Sequence, residues 1–334
     1  MPERDDNPTV VLVLGAGGQV GQAFHAGVLG ALEEATGWDP RRASLVIGTS
    51  AGSIAGAMLR AGFSAGDLAA RATGRPLSAQ GAALAGRVGL RRPTTPSRPA
   101  AGSPRRVASV ERLARAWTAP WAVRPGSIAA AMMPEGRVPL EPLLAPMRAL
   151  YDGGWPARPL WTVAVDLDRG DRVVFGRSGS PDAPVAEAVA ASCAIPAFFS
   201  PVIIGGRRYV DGGVHSTTNA DLASTVPAVD DGRGARPVLV VVSAPMSIAP
   251  NVRSSRFDLA VRRVVAARLA REAAALRRKG IDVVAFQPAS AELDVMAGNA
   301  LDSSKMPAVC TVSHDAVLRR LARDDQRRRV AVLR

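Results

Sequence analysis

The sequence predicts an α/β fold, a three-layer sandwich with a central, mainly parallel sheet and helices on both faces. Three observations lead there. Val10 to Leu14 is an unbroken valine and leucine run, as expected of a strand buried on both sides. A glycine loop follows, and then apolar residues at helical spacing. Leu45-Val46-Ile47 repeats the cycle and feeds a second helix-compatible stretch, Ser53 to Leu59. The order strand, loop, helix, strand, turn, helix implies parallel strands with crossover helices packed on the sheet.

The elements follow in order. Val10 to Leu14 is the first strand. Phe24, Val28, Leu29 and Leu32 recur at helical spacing from Gly21 to Ala35, and Gly37 is placed to cap that helix. Ser44 to Ile47 is the second strand. Ser64 with Asp67 forms a capping box for a short helix. Gly74 to Arg106 is rich in Gly, Pro, Ser and Arg, buries too little to offset its ordering entropy, and is expected to be a mobile loop. Val107 to Leu150 holds helical fragments broken by prolines and is a candidate cap. Leu160 to Val165 is a strand with Arg172 to Phe175 as hairpin partner. Val185 to Cys193 is a small-residue helix. Val202 to Ile204 and Arg207 to Val210 flank the two-residue turn Gly205-Gly206. Val238 to Val242 and Ile281 to Phe286 are strands, and Ser254 to Lys279 and Met306 to Arg323 are helices. Residues 1–334 are expected to form one domain, with a core at about 8–62 and 158–325 and an irregular, lid-forming insertion at about 74–150.

With 334 residues, 47% of them hydrophobic, the chain can build a large core, and 4% aromatics leave Ala, Val and Leu to fill it. No apolar run approaches the roughly 20 residues that span a bilayer. Met1 to Thr9 is polar and acidic, unlike a signal peptide, so a cytoplasmic protein is expected. Cys193 and Cys310 make neither a disulfide framework nor a zinc cluster and are expected to be buried or half-buried thiols. No metal or cofactor is expected. The net charge of +13 comes mainly from arginine, with no nucleic-acid motif and few aromatics to stack bases, so no nucleic-acid partner is expected. The basic helix Ser254 to Lys279 is either a solvated face or a peripheral contact with an anionic membrane.

Three segments carry the chemistry. Gly48-Thr49-Ser50-Ala51-Gly52 is a Gly-x-Ser-x-Gly turn between a strand and a helix, with glycines at Gly48 and Gly52 where side chains would not fit and the Ser50 hydroxyl at the tip. The loop Gly15-Ala16-Gly17-Gly18 offers backbone N–H groups at a helix N-terminus, an anion-binding arrangement. Its spacing misses the dinucleotide fingerprint Gly-x-Gly-x-x-Gly, because Val20 stands at the third position. Asp211-Gly212-Gly213 follows the hairpin strand. A serine nucleophile needs a base. His25 reads as a packed core residue and His314 as structural or exposed. His215 is a lesser candidate, and Asp211 is the better one.

These blocks resemble the patatin-like phospholipases. The likeness rests on Val11 to Leu32 with its glycine loop, Gly48 to Gly52, and Ala191-Ser192-Cys193-Ala194-Ile195-Pro196 through Asp211-Gly212-Gly213, with Asn219 where the family often has asparagine. It covers roughly residues 8–62 and 158–225. The resemblance implies a Ser–Asp dyad that hydrolyses lipid esters, with Ser50 as nucleophile, Asp211 as base, and Gly17 and Gly18 as oxyanion-hole donors. One departure is the absence of the family's basic residue in the glycine loop, where Gln19 or Gln22 must substitute through hydrogen bonds. Acyl transfer by the same dyad, and a silent lipid- or protein-binding scaffold, are the rival readings.

Overall fold

Val10, Leu12 and Leu14 pack into one apolar layer while Val11 and Val13 pack into another. A five-residue strand that is apolar at every position needs cover on both faces, because its side chains alternate. The computed structural model describes residues 9–96, 132–152, 154–226, 239–252 and 259–333.

In chain order the strands are β1 (Val10–Leu14), β2 (Leu45–Thr49), β3 (Leu160–Asp166), β4 (Arg172–Phe175), β5 (Val202–Ile204), β6 (Arg207–Asp211), β7 (Leu239–Ser243) and β8 (Asp282–Phe286). The helices are α1 (Gly18–Thr36), α2 (Ala51–Arg60), α3 (Ala65–Thr73), α4 (Ala79–Arg87), α5 (Glu141–Leu150), α6 (Val185–Cys193), α7 (Leu259–Arg278), α8 (Ser290–Met296), α9 (Met306–Leu321) and α10 (Asp324–Arg329). Strands β3, β2, β1, β7 and β8 pair in parallel, and β4, β5 and β6 join them antiparallel. The sheet is therefore mainly parallel. Residues from α1, α2, α3, α6 and α9 fill one layer. On the other face, α7 supplies Leu269, Ala273 and Leu276, and the short turn of helix Ala220–Thr225 supplies Leu222. This is the three-layer α/β arrangement expected from the sequence.

Local signals account for most boundaries. Gly37 closes α1 in the left-handed region at φ 76°. Ser64 and Asp67 form the expected capping box on α3. Gly205 and Gly206 turn the β5–β6 hairpin at φ +55° and +74°, as a two-residue turn matched to strand twist requires. Helix α4 is a correction, because it lies inside the stretch expected to be a mobile loop. Ser78 caps it by accepting the Gly81 N–H, and the same serine donates to Asp67. A capping serine thus outweighs the glycines around it. Helix α5 tolerates Pro142 in its first turn and carries Pro146 inside. Residues 97–131, which include much of the candidate cap, lie outside the described residues, as do Val238 and residues 254–258. Both thiols, Cys193 and Cys310, are free and buried as expected.

Strand β3 makes an unusual set of pairings that positions everything below. Thr49 of β2 stands opposite Val163, while Asp211 of β6 stands opposite Ala164. The Pro159 carbonyl faces β2 and the Leu167 N–H faces β6. Residues an even number apart on a strand turn their backbone groups to the same edge. Strands β2 and β6 thus lie end to end along one edge of β3, and β4 takes the other edge.

Candidate active site

Ser50 occupies the turn from β2 to α2 at φ 53° and ψ −118°. A non-glycine residue there stores about 1–3 kcal/mol of strain. Both flanking glycines are enforced. A Cβ on Gly52 would collide with the Leu14 carbonyl, and one on Gly48 would sit 2.7 Å from the Gly52 carbonyl oxygen. Gly52→Ala is therefore expected to cost more than about 4 kcal/mol, or to prevent folding, which urea melts and soluble yield would show.

Strand ends meeting on β3 bring the two reactive side chains together. A single residue step separates Val163 from Ala164, about 3.3 Å of strand rise. The Ser50 hydroxyl lies close enough to the Asp211 carboxyl to favour its ionised form. The Gly213 N–H donates to Asp211 Oδ1 at 2.7 Å. Burial pushes the Asp211 carboxyl up to about 6, and the Ser50 hydroxyl and the Gly213 N–H restrain that rise. Ser192 of α6 fills the seam between the two strands. Its Oγ accepts the Ser50 N–H at 2.9 Å and donates to the Val163 carbonyl at 2.6 Å. One hydroxyl thereby satisfies two backbone groups left open where β2 ends.

The glycine loop lies beside this pair. Among the described residues no protein acceptor takes the N–H of Gly17 or Gly18. Gly18 is at φ 62°, and a Cβ on it would meet the Ala300 carbonyl at 2.6 Å. Gly18 lines the same cavity as Ser50, whereas Gly17 is not among the lining residues. The Gln19 Nε2 donates to the Thr94 carbonyl at 2.6 Å, so this side chain ties the start of α1 to the insertion. No basic side chain does so from within the loop.

His25 is a core residue, as expected, and it also fixes the loop. Its Nε2 donates to the Gly15 carbonyl at 2.8 Å, which leaves Nδ1 to accept from the Ser243 hydroxyl at 2.7 Å. A carbonyl can only accept, and this decides the tautomer. Burial drops the imidazole to about 4. The other histidines lie elsewhere. His215 acts electrostatically on Asp221, and His314 Nε2 lies 3.2 Å from Glu34.

Residues 215–220 join the three segments. The Ala16 N–H donates to the Thr217 carbonyl at 2.7 Å. Asn219 Nδ2 donates to Thr49 Oγ1 at 3.1 Å, from a left-handed backbone at φ 52° that asparagine tolerates. Behind this loop, Glu272 of α7 is buried. It accepts from Ser216 Oγ and Thr218 Oγ1 at 2.7 Å each, from the Ala220 N–H at 3.1 Å, and from Arg268 Nε at 3.1 Å.

Ser50 opens onto a cavity of about 720 Å³. Ile54, Met58, Leu90, Leu143, Met147 and Phe199 make its walls apolar, and Arg71, Arg91 and Arg92 add cationic groups. Residues 88–96 and 138–147 of the insertion contribute much of the lining. Sequence reasoning assigned no role to Ser192, Glu272 or the His25 clamp. Glu272 did carry a signal, since it is the one carboxylate in an otherwise basic helix.

Residues 148–224 match the family model described as patatin-like phospholipase. The chain is patatin-like over this stretch. The patatin-like segment carries β3, the seam residue Ser192 and Asp211, while Ser50 and the glycine loop lie N-terminal to it. No curated protein matches the chain. Among solved structures, the crystal structure of VipD from Legionella pneumophila is similar at 13% identity and a TM-score of 0.43, covering 95% of this chain and 67% of that one.

Proposed function

We propose that this chain is a serine acyl hydrolase acting on carboxylic esters of lipids. The observation that carries the reading is the placement of the Ser50 hydroxyl beside the buried Asp211 carboxyl, whose ionised form it favours, at an apolar cavity. Ser50 Oγ attacks the ester carbonyl carbon while Asp211 takes the hydroxyl proton. The oxyanion is stabilised by backbone N–H groups of the glycine loop, Gly18 foremost and Gly17 behind it. Asp211 returns the proton to the leaving alcohol and an acyl-serine remains. Water, deprotonated by Asp211, then attacks the acyl carbon; the bond to Ser50 Oγ breaks, Asp211 returns the proton to that oxygen, and the fatty acid leaves with Ser50 and Asp211 restored. The apolar walls suit an acyl chain, and Arg71, Arg91 and Arg92 suit an anionic head group.

Burial supports Asp211 as the base, because a carboxylate near 6 accepts a proton better than an ordinary one. The test is turnover of p-nitrophenyl esters and phospholipids together with fluorophosphonate labelling. Wild type is expected to label at Ser50 and to release acid. Ser50→Ala is expected to lose about 1,000-fold or more in kcat with an unchanged melting profile. Undiminished turnover in Ser50→Ala would overturn the proposal.

A further inference from the structure

On the edge of the sheet away from the β5–β6 hairpin, a cleft of about 1220 Å³ runs between α7, β8, α9 and α10. Six arginines line it: Arg263, Arg277, Arg319, Arg320, Arg323 and Arg329. Strand β8 ends the sheet, so alternate carbonyls point outward without a partner strand. Arginines cover them. Arg277 and Arg329 both donate to the Val283 carbonyl at 2.9 Å, and Arg320 donates to the Ala285 carbonyl at 2.7 Å.

A carbonyl is a neutral acceptor, so these bonds leave the charge uncompensated. Among the described residues none of Arg277, Arg319, Arg320, Arg323 and Arg329 is ion-paired with a carboxylate. Glu292 lines the cleft, where its buried carboxyl caps the Ala289 N–H and feels Arg319. Asp325 lies near Arg320 and bonds Gln326. These two carboxylates do not balance the five guanidiniums of Arg277, Arg319, Arg320, Arg323 and Arg329. Burial, and then the neighbouring Arg329 and Arg323, hold the Arg320 guanidinium below its ordinary value. Like charges gathered around a roomy concavity at a net cost lack only an anion.

We propose that this cleft binds a multivalent phosphate-bearing ligand. The guanidinium fork suits phosphate oxygens in pairs. Four of the six arginines are exposed at the helix ends Arg277, Arg319, Arg323 and Arg329, within reach of a ligand. The buried Phe286 ring beneath Arg320, 4.8 Å from its centroid, holds that guanidinium in place at the floor of the cleft. The site is separate from Ser50 and needs no ester hydrolysis to be detected.

The test titrates inorganic tripolyphosphate into the full chain by calorimetry at fixed ionic strength, with thermal melts alongside. Saturable binding and a ligand-dependent rise in Tm are expected in wild type. Arg319→Gln/Arg323→Gln removes no side-chain hydrogen bond among the described residues, keeps the backbone bonds of Arg323, and should weaken binding about tenfold or more. Without ligand the double variant should melt no lower than wild type, since repulsion is relieved. Arg42→Gln, a surface arginine away from the cleft, should bind as wild type. Heats reproduced by sodium chloride at equal ionic strength, or unchanged affinity in the double variant, would overturn the proposal. Flotation with phosphatidylcholine vesicles, with and without phosphatidic acid, then distinguishes the source. Retention on phosphatidic acid that tripolyphosphate displaces assigns a lipid head group. Tripolyphosphate binding without vesicle retention assigns a free phosphate ligand. Both results support the site, and absence of both sinks it.

Discussion

Asp211→Asn is expected to slow acyl release by about 1,000-fold or more and to make the protein more stable at neutral pH. The two effects share one cause. A carboxyl raised to about 6 in the fold, from an ordinary 3.8, is held ionised at pH 7 at a cost of up to about 3 kcal/mol. The sign follows from proton binding. Below the unfolded value both states are protonated and the penalty is absent. It grows as pH rises from 3.8 to about 6 and is complete above that. Asparagine carries no charge, still accepts from the Gly213 N–H, and can donate to Ser50. The stability gain of the variant should therefore be near zero at pH 3.5 and largest at pH 7.

His25 pulls the other way. Its folded value of about 4 lies below the ordinary 6.5, so its contribution is full above 6.5 and is lost as pH falls toward 4, by about 3 kcal/mol. Between pH 4 and 6 the two groups oppose each other, and wild type should show a shallow stability profile from this pair. Asp211→Asn should unmask the histidine, with stability rising steeply from pH 4 to 6.5. Urea denaturation of both proteins at pH 4.5 and pH 7 decides the matter. A variant no more stable than wild type at pH 7 would mean that the carboxyl is not ionised at a cost. For the reaction itself, kcat/KM of wild type should fall below about pH 6 as the base becomes protonated.

Glu272→Ala is expected to be among the most damaging side-chain truncations outside Ser50 and Asp211. It leaves the Ser216 and Thr218 hydroxyls and the Ala220 N–H without their acceptor in a buried loop. Each orphaned donor costs about 1–3 kcal/mol, so a loss of about 4 kcal/mol or more follows. Glu272→Gln keeps one carbonyl oxygen but turns N–H groups toward the Ala220 N–H, and should lose about 1–3 kcal/mol. Both variants should lower kcat more than they raise KM, because the loop they loosen holds Ala16 and Thr49 through Thr217 and Asn219. A Glu272→Gln protein with wild-type stability and kcat would show that the loop keeps its shape without the carboxylate.

How much of this was legible in the sequence depended on the range of the interaction. Val10 to Leu14, Gly37, Ser64 with Asp67, and Gly205-Gly206 each declare their structure within a few residues, and all formed as read. Helix α4 escaped notice because glycine and proline content outweighed the single serine that caps it. Ser50 and Asp211 were legible as reactive types in glycine-flanked turns, since close packing there admits nothing larger. Their supports were not legible. Ser192 bonds a residue 142 positions away and Asn219 one 170 positions away, and no periodicity records such a partner. The same holds for the arginines over β8: Arg277 lay in a helix read as either a solvated face or a membrane contact, and Arg320 and Arg329 carried no assigned role.

The end-to-end strands on β3 carry one more consequence. The strands that lead to Ser50 and Asp211, the proposed nucleophile and base, both pair with β3, so no rigid-body swing of one half of the protein against the other can part them. For the proposed hydrolase this leaves entry to the chamber, walled by the segments at 88–96 and 138–147, as the step open to control, rather than the approach of β2 to β6.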